Sequence, residues 1–364
     1  MAARAAKRMG MSKEEIGDIR FLIQNHLVLS HVAQRRDLHE EKTITEVATL
    51  MGTSKRLKLL LLITMADLKA VGPGVLNEWK ASLIAELFLE ANMAIERGGV
   101  FREDLLERMD KERAQILETL SLDFDPDQII HELDALSERA YMVYRPEALA
   151  QMIRLKLGMD DKPVATTWMQ ASQGGHTEYY IVSEDFPGLF SKIAGVLAAN
   201  NVNILGAQIL TRDDGIVFDL LHVTDNVMKP INDQVKFRLV SRELEKVITG
   251  ELAVEDLFHT RRLSLPLDRR EKTSMEAPTR VEIDNDISEI YTVVDVYTND
   301  RIGLLHTITS TLASLDLSIH TAKVSTKVDQ AVDVFYVADL KGKKIEDPEA
   351  LERIRGELIR ALAD

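Results

Sequence analysis

The chain has 364 residues, 45% hydrophobic and 29% charged, which is ordinary for a folded protein of two or three domains. Its net charge of −14 argues against phosphate backbones, so no nucleic acid is expected as a partner. The absence of cysteine excludes disulfides, thiol nucleophiles and thiolate zinc sites.

The first ten residues, Met-Ala-Ala-Arg-Ala-Ala-Lys-Arg-Met-Gly, are basic but lead into no apolar run, so they do not read as a secretory signal. They read as the tail of a surface helix, which raises the expectation that the sequence starts inside a domain. No stretch reaches the ~18 uninterrupted apolar residues of a membrane span. The run over 59–65 is too short, and Asp67 follows it. A cytoplasmic location and no membrane partner are therefore expected.

Residues 1–163 read as helical. Phe21, Leu22, Ile23, His26, Leu27 and Leu29 recur at helical spacing, as do Leu57, Leu61, Leu62 and Met65, and then Leu83, Ile84, Leu87 and Phe88. Gly72-Pro73-Gly74 interrupts the pattern and Gly98-Gly99 closes the next helix. A further helix is predicted over 104–120. Asp123-Phe124-Asp125-Pro126-Asp127 is a turn that caps a helix over 128–138.

From residue 164 short β-rich runs alternate with amphipathic helices, and the pattern occurs twice. Ser183-Glu-Asp-Phe-Pro-Gly-Leu-Phe190 matches Thr298-Asn-Asp-Arg-Ile-Gly-Leu-Leu305, Asn203-Ile204 matches Ser318-Ile319, and Thr211 matches Thr326, all at one fixed offset. A repeat of this kind defines the architectural unit. The first unit predicts strands over 176–183, 203–211 and 216–223 with helices over 189–200 and 231–248. The second predicts strands over 290–298, 318–326 and 331–338 with helices over 304–315 and 348–362. No strand follows the last helix. Leading strands over 164–171 and 280–284 are expected to take that sheet-edge position. The charged stretch 265–279, with two prolines, reads as a linker.

Asp185-Phe-Pro-Gly-Leu189 followed by Val202-Asn203-Ile204 resembles the ACT domain, a ferredoxin-like βαββαβ module that binds small molecules, usually amino acids. The local chemistry agrees. A strand ends at Asp185 and a helix starts at Gly188, where glycine allows close approach and the free N–H groups of a helix start suit a carboxylate. The resemblance maps the ligand site onto Ser183, Asp185, Gly188, Leu189, Asn203 and Ile204, and in the second copy onto Asp300, Gly303, Leu304 and Ser318. Asn203 is expected beside the ligand carboxylate or ammonium, with Asp185 or Ser183 completing the ammonium site. Such modules pair through sheet edges or helices, so self-association is a further expectation. The second copy departs from the pattern, with Ile302 in place of proline and Ser318 in place of Asn203.

The helical part adds a second resemblance. His31-Val-Ala-Gln-Arg-Arg-Asp37, Leu61-Leu-Ile-Thr-Met-Ala-Asp67, Gly72-Pro-Gly-Val-Leu-Asn-Glu-Trp-Lys-Ala-Ser-Leu83 and Tyr144-Arg-Pro-Glu147 are similar to the bifunctional uridylyltransferases/uridylyl-removing enzymes of nitrogen regulation. The similarity runs from the second half of their HD domain into the ACT pair. It implies an α+β fold: an all-helical partial HD domain followed by two ferredoxin-like ACT domains. The implied boundaries are 1–163, 164–264, a linker at 265–279, and 280–364.

The resemblance implies L-glutamine as effector, the PII signalling protein as partner, and Mg or Mn in the intact enzyme. Asp67 matches a metal-binding aspartate of HD phosphohydrolases, whose metal activates water. None of the nine histidines is followed by aspartate, so the His-Asp pair of that family is absent, as is the nucleotidyltransferase signature of a Gly-Ser element with paired aspartates. One aspartate does not hold a catalytic metal alone. The expectation is a glutamine-sensing regulatory part that is inactive in isolation. Two other readings stay open on the sequence: a non-catalytic ACT adaptor, or a fragment of another HD–ACT enzyme such as a stringent-response synthetase/hydrolase.

Overall fold

The structure, a computed structural model, describes residues 2–72, 74–98, 102–263, 278–327 and 330–363. Pro73, Gly99 and residues 265–277 of the expected linker lie outside the described residues. Two compact units are present: Met1–Asp104 with Ser172–Gly175, and Leu105–Ala171 with His176–Asp364. The expected helical region 1–163 thus divides between two bodies.

The first unit holds α1 (Ala2–Arg8), α2 (Lys13–Asn25), α3 (Val28–Arg35), α4 (Glu41–Met51), α5 (Ser54–Val71) and α6 (Glu78–Arg97). Their starts follow from local chemistry. Ser12 and Glu15 form a capping box on α2, Thr53 caps α5 and Asn77 caps α6. The apolar stripes meet in a core that includes Leu29, Leu57, Leu60, Ile84 and Leu87. Asp67 is half-buried near the C-terminal end of α5.

The second unit opens with α7 (Arg102–Leu120, inside this unit from Leu105), α8 (Pro126–Asp134), α9 (Glu138–Val143) and α10 (Pro146–Leu157). The first copy of the repeat follows: β1 (Val164–Gln170), β2 (Thr177–Glu184), α11 (Leu189–Ala199), β3 (Val202–Thr211), β4 (Ile216–Asp225) and α12 (Gln234–Ile248). After an extra helix, α13 (Val254–Leu263), comes the second copy: β5 (Arg280–Asp284), β6 (Thr292–Asn299), α14 (Leu304–Ser314), β7 (Leu317–Lys327), β8 (Gln330–Asp339) and α15 (Pro348–Leu362).

All eight strands join one antiparallel sheet in the order β1-β2-β4-β3-β7-β8-β6-β5. The leading strands β1 and β5 sit at the outer edges beside β2 and β6, where the missing final strands were expected to be replaced. The two copies meet through β3 and β7, paired at Gly206↔Lys323, Ala207↔Ala322 and Gln208↔Thr321.

Alternation of side chains divides the sheet into two faces. Tyr179, Ile181 and Leu221 pack with α11, α12 and α14, whereas Tyr180, Val182 and Phe218 pack with α7–α10. Helices α11 and α14 cross each other so that Ser191 Oγ lies 3.1 Å from His306 Nδ1. These two positions are equivalent in the repeat, so a local two-fold axis passes between them.

One detail breaks the fixed offset. The first hairpin pairs Thr211 with Val217, while the second pairs Thr326 with Ala331. The second turn is one residue shorter, so every residue of β8 is displaced by one in sequence from its counterpart in β4.

Candidate functional site

The Gly-led turns take the form that the motif requires. Gly188 and Gly303 sit at φ 86° and 81°, the left-handed region that side chains avoid, and each precedes its helix directly. Ser183 is buried on β2 and donates to the Glu184 carbonyl at 3.2 Å. Asp185, exposed after the strand, donates its N–H to Gly215 at 2.8 Å and accepts from Thr211 Oγ1 at 3.0 Å. Leu189 and Leu304 are buried as the first anchors of α11 and α14.

Beside Gly188 lies a cleft of about 510 Å³. Its walls come from α11 (Ser191, Lys192), α14 (His306, Ser310, Ala313) and the α12–α13 connection (Val247 to Glu255). Lys192 donates to the Val247 carbonyl at 3.1 Å, and Glu255 lies 4.0 Å from His306. One cleft thus offers an ammonium, a carboxylate, an imidazole, two hydroxyls and an apolar wall, drawn from both copies.

Asn203 does not sit beside Gly188. Helix α11 runs back along the sheet, and its eleven residues, at ~1.5 Å each, put the start of β3 roughly 16 Å from the Gly188 turn. Asn203 is exposed there and donates to the Asp225 carbonyl at 3.0 Å, and Ile204 is buried in the core. Within one copy, Asn203 and the Asp185–Gly188 turn therefore lie at opposite ends of the sheet. Because β3 and β7 are antiparallel, the start of each strand instead shares a sheet end with the other copy's turn. Asn203 goes with Asp300 and Gly303, and half-buried Ser318 goes with Asp185 and Gly188. Each of these two residues thus lies at the sheet end of the other copy's turn, with two strands between.

The second turn is covered. A Cβ added to Gly303 would meet Phe258 Cζ at 3.2 Å, so the α13 phenyl ring lies against the turn. At Gly188 the nearest atom to such a Cβ is Ala313 Cβ, at 3.8 Å.

Two residues outside the expected set stand out. Asp219 on β4 is 1% exposed and neither carboxylate oxygen has a hydrogen-bond partner. Asp333 on β8 is 2% exposed and its Oδ1 is unpartnered. They occupy the same place: Asp219 pairs with Ile181 and Ile209, and Asp333 with their repeat counterparts Val296 and Val324. Burial pushes both carboxyl groups up, Asp333 to about 8, and the turn aspartates Asp185 and Asp300 add to the effect. The shorter second hairpin hid this equivalence, since the fixed offset pairs Asp333 with Phe218. A carboxylate in the middle of an apolar strand, Val217-Phe-Asp219-Leu and Ala331-Val-Asp333-Val, was the available signal.

Among the described residues, one group of three or more side chains has metal-ligand geometry: His176, Glu178 and His222. Asp67 is not in it.

Comparison with known proteins follows the same lines. The ACT domain family matches residues 180–238, and the ACR9-like, ACT-like domain matches 280–363. The bifunctional uridylyltransferase/uridylyl-removing enzyme of Azospirillum brasilense is 35% identical over the whole chain, which covers 39% of that protein. The enzymes of the same description from Gluconobacter oxydans (strain 621H) and Rhodospirillum rubrum are 33% and 32% identical, again over the whole chain and 38% of each relative. The chain thus spans about two fifths of the length of these relatives. No helix among the described residues is long and apolar enough to cross a membrane.

Proposed function

We propose that this chain, homologous over its whole length to the C-terminal part of bifunctional uridylyltransferase/uridylyl-removing enzymes and carrying two ACT-type domains, is the amino-acid-sensing regulatory part of such an enzyme, with L-glutamine as its effector. The carrying observation is the cleft beside Gly188. Lys192 answers a carboxylate, Glu255 answers an ammonium, and the apolar wall of Val247, Leu252 and Val254 accepts a short side chain. A zwitterion of that size fits this arrangement.

The cleft is also placed for signalling. α11 and α14 belong to different copies, so a ligand between them touches both. Binding shifts an equilibrium only if the ligand holds one arrangement of the copies better than the other. In the larger enzyme the shift would suppress uridylyl transfer and favour removal, with the PII signalling protein as the substrate partner. The first unit is read as the end of an HD domain, in which Asp67 is one ligand of a Mg or Mn ion completed by residues that these 364 do not supply. The chain alone is then inactive, and release of UMP from uridylylated PII by the pure chain with Mn would refute that part.

Calorimetric titration with L-glutamine, with glutamate, serine and a valine–isoleucine mixture as controls, tests the sensor reading. Saturable, glutamine-selective binding at one per chain is expected, lost in Lys192→Met. Flat traces for every amino acid would leave the ACT pair an adaptor for a partner protein.

A further inference from the structure

We propose that His176, Glu178 and His222 form a binding site for a divalent transition-metal ion of the zinc class, on the sheet face opposite the amino-acid cleft. Glu178 on β2 pairs directly with His222 on β4, and His176 stands two residues before Glu178, so all three side chains leave the same face. Their ligand atoms all lie within 4.8 Å of one another. His222 Nδ1 is 3.0 Å from His176 Nε2. Two nitrogens bound tetrahedrally to zinc at ~2.0–2.1 Å stand roughly 3.3 Å apart, so the imidazoles need only a small adjustment. Two imidazoles and one carboxylate are a ligand set that suits zinc, and they leave a fourth position for water.

The surroundings support a ligand role. His176 and Glu178 are each 5% exposed, while His222 is half-buried. Tyr180 donates its hydroxyl to Glu178 at 2.5 Å, the kind of outer hydrogen bond that orients a ligating carboxylate. Arg145 pairs with the other Glu178 oxygen at 2.5 Å, but its side chain is 56% exposed and is free to turn to water when a cation replaces it. Thr177, between the ligands, is locked to Ile231 by two hydrogen bonds of 2.8 and 3.1 Å, which fixes the strand that carries them.

The second copy provides an internal control. Val293 pairs with Tyr336 as Glu178 pairs with His222, and Tyr291 takes the place of His176. These three are buried in an apolar cluster. The same three register positions therefore pack with no ligand residue at any of them, His320 stacking on Tyr291 from β7, so the fold itself does not call for the polar triad in the first copy.

The test uses the tag-free full chain, stripped with chelator, given one equivalent of Zn(II) and passed over a desalting column. Metal analysis is expected to find about one zinc per chain, with a higher melting temperature than the stripped protein. Co(II) in place of zinc should give the intense visible bands of a four-coordinate N/O site. The His176→Gln/His222→Gln double variant should lose retention, and Glu178→Gln should weaken it by roughly tenfold or more. If the double variant does not fold by circular dichroism, the half-buried single variant His222→Gln takes its place. No retention by the parent chain, or equal retention by a folded histidine variant, overturns the proposal. Loss of glutamine binding would leave this result untouched, because the two sites lie on opposite faces.

Discussion

The two copies of the repeat share a backbone and diverge in chemistry at matched positions. Both have a left-handed glycine before the first helix, a buried aspartate at the same place in the sheet, and a leading strand at the edge. Where the first has His176, Glu178 and His222, the second has Tyr291, Val293 and Tyr336. Where the first has an open cleft at its turn, the second has Phe258 against Gly303. The shared features concern backbone geometry and the face between sheet and helices, and the divergent ones concern what each copy meets.

The shared feature with the largest expected effect is the buried aspartate. The native state holds protons on Asp219 and Asp333 that the unfolded chain gives up near pH 4, so folding binds protons and stability falls as pH rises. The slope is up to ~1.4 kcal/mol per pH unit for each group, from about pH 4 to the native pKa, which is about 8 for Asp333. Asp333→Asn should remove one such slope, so that urea denaturation between pH 5 and 8 shows a flatter profile and a more stable protein at the alkaline end. An unchanged slope would mean that the carboxyl is ionised in the fold.

Arg212 probes what is particular to the first copy. Its side chain, 1% exposed, joins Glu132 on α8 at 2.5 Å and Asp214 at 2.7 Å. Arg212→Ala strands a buried carboxylate and should cost ~3–5 kcal/mol, read as a drop in the urea midpoint. Gly195→Ala tests the α11 contact with α13, since the new methyl carbon would meet Val254 at 2.3 Å and His306 at 3.0 Å. A loss of ~1–3 kcal/mol is expected. Phe258→Ala has the smallest effect on stability, about 1 kcal/mol for a half-buried ring, but it should make the copies alike: glutamine stoichiometry is expected to rise from one towards two. A stoichiometry that stays at one would place the asymmetry elsewhere, at Ile302 or Ser318.

Much of this was legible because it is periodic. The repeated Asp-x-x-Gly-Leu, the strand alternation and the two leading strands are local patterns, and they fixed the α+β architecture and both Gly turns. The illegible parts depend on chain reversal and on pairing at a distance. The position of Asn203 follows from the length of α11, and its place at the sheet end of the second turn follows from the antiparallel β3–β7 junction, which no local pattern encodes. The equivalence of Asp219 with Asp333, and of His222 with Tyr336, was masked by one residue fewer in a hairpin. The division of the helical region follows from α7–α10 burying Ile116, Leu120, Tyr141 and Ile153 against the sheet, a choice of partner rather than of helical period.

The seam between the copies is thin. Three residue pairs stitch β3 to β7, whereas β5 and β6, the least extensive pair within a copy, share five. At ~0.5–1.5 kcal/mol per backbone hydrogen bond, parting that seam is a matter of a few kcal/mol before the contacts of α11, α13 and α14 are counted. A small metabolite bound at micromolar to millimolar concentration delivers about 4–8 kcal/mol. Only the share of that energy by which a ligand favours one arrangement of the copies over the other acts on the junction, and there α11, α13 and α14 share one hydrophobic cluster beside the three strand pairs, so the helices rather than the strand seam set how firmly the copies are joined.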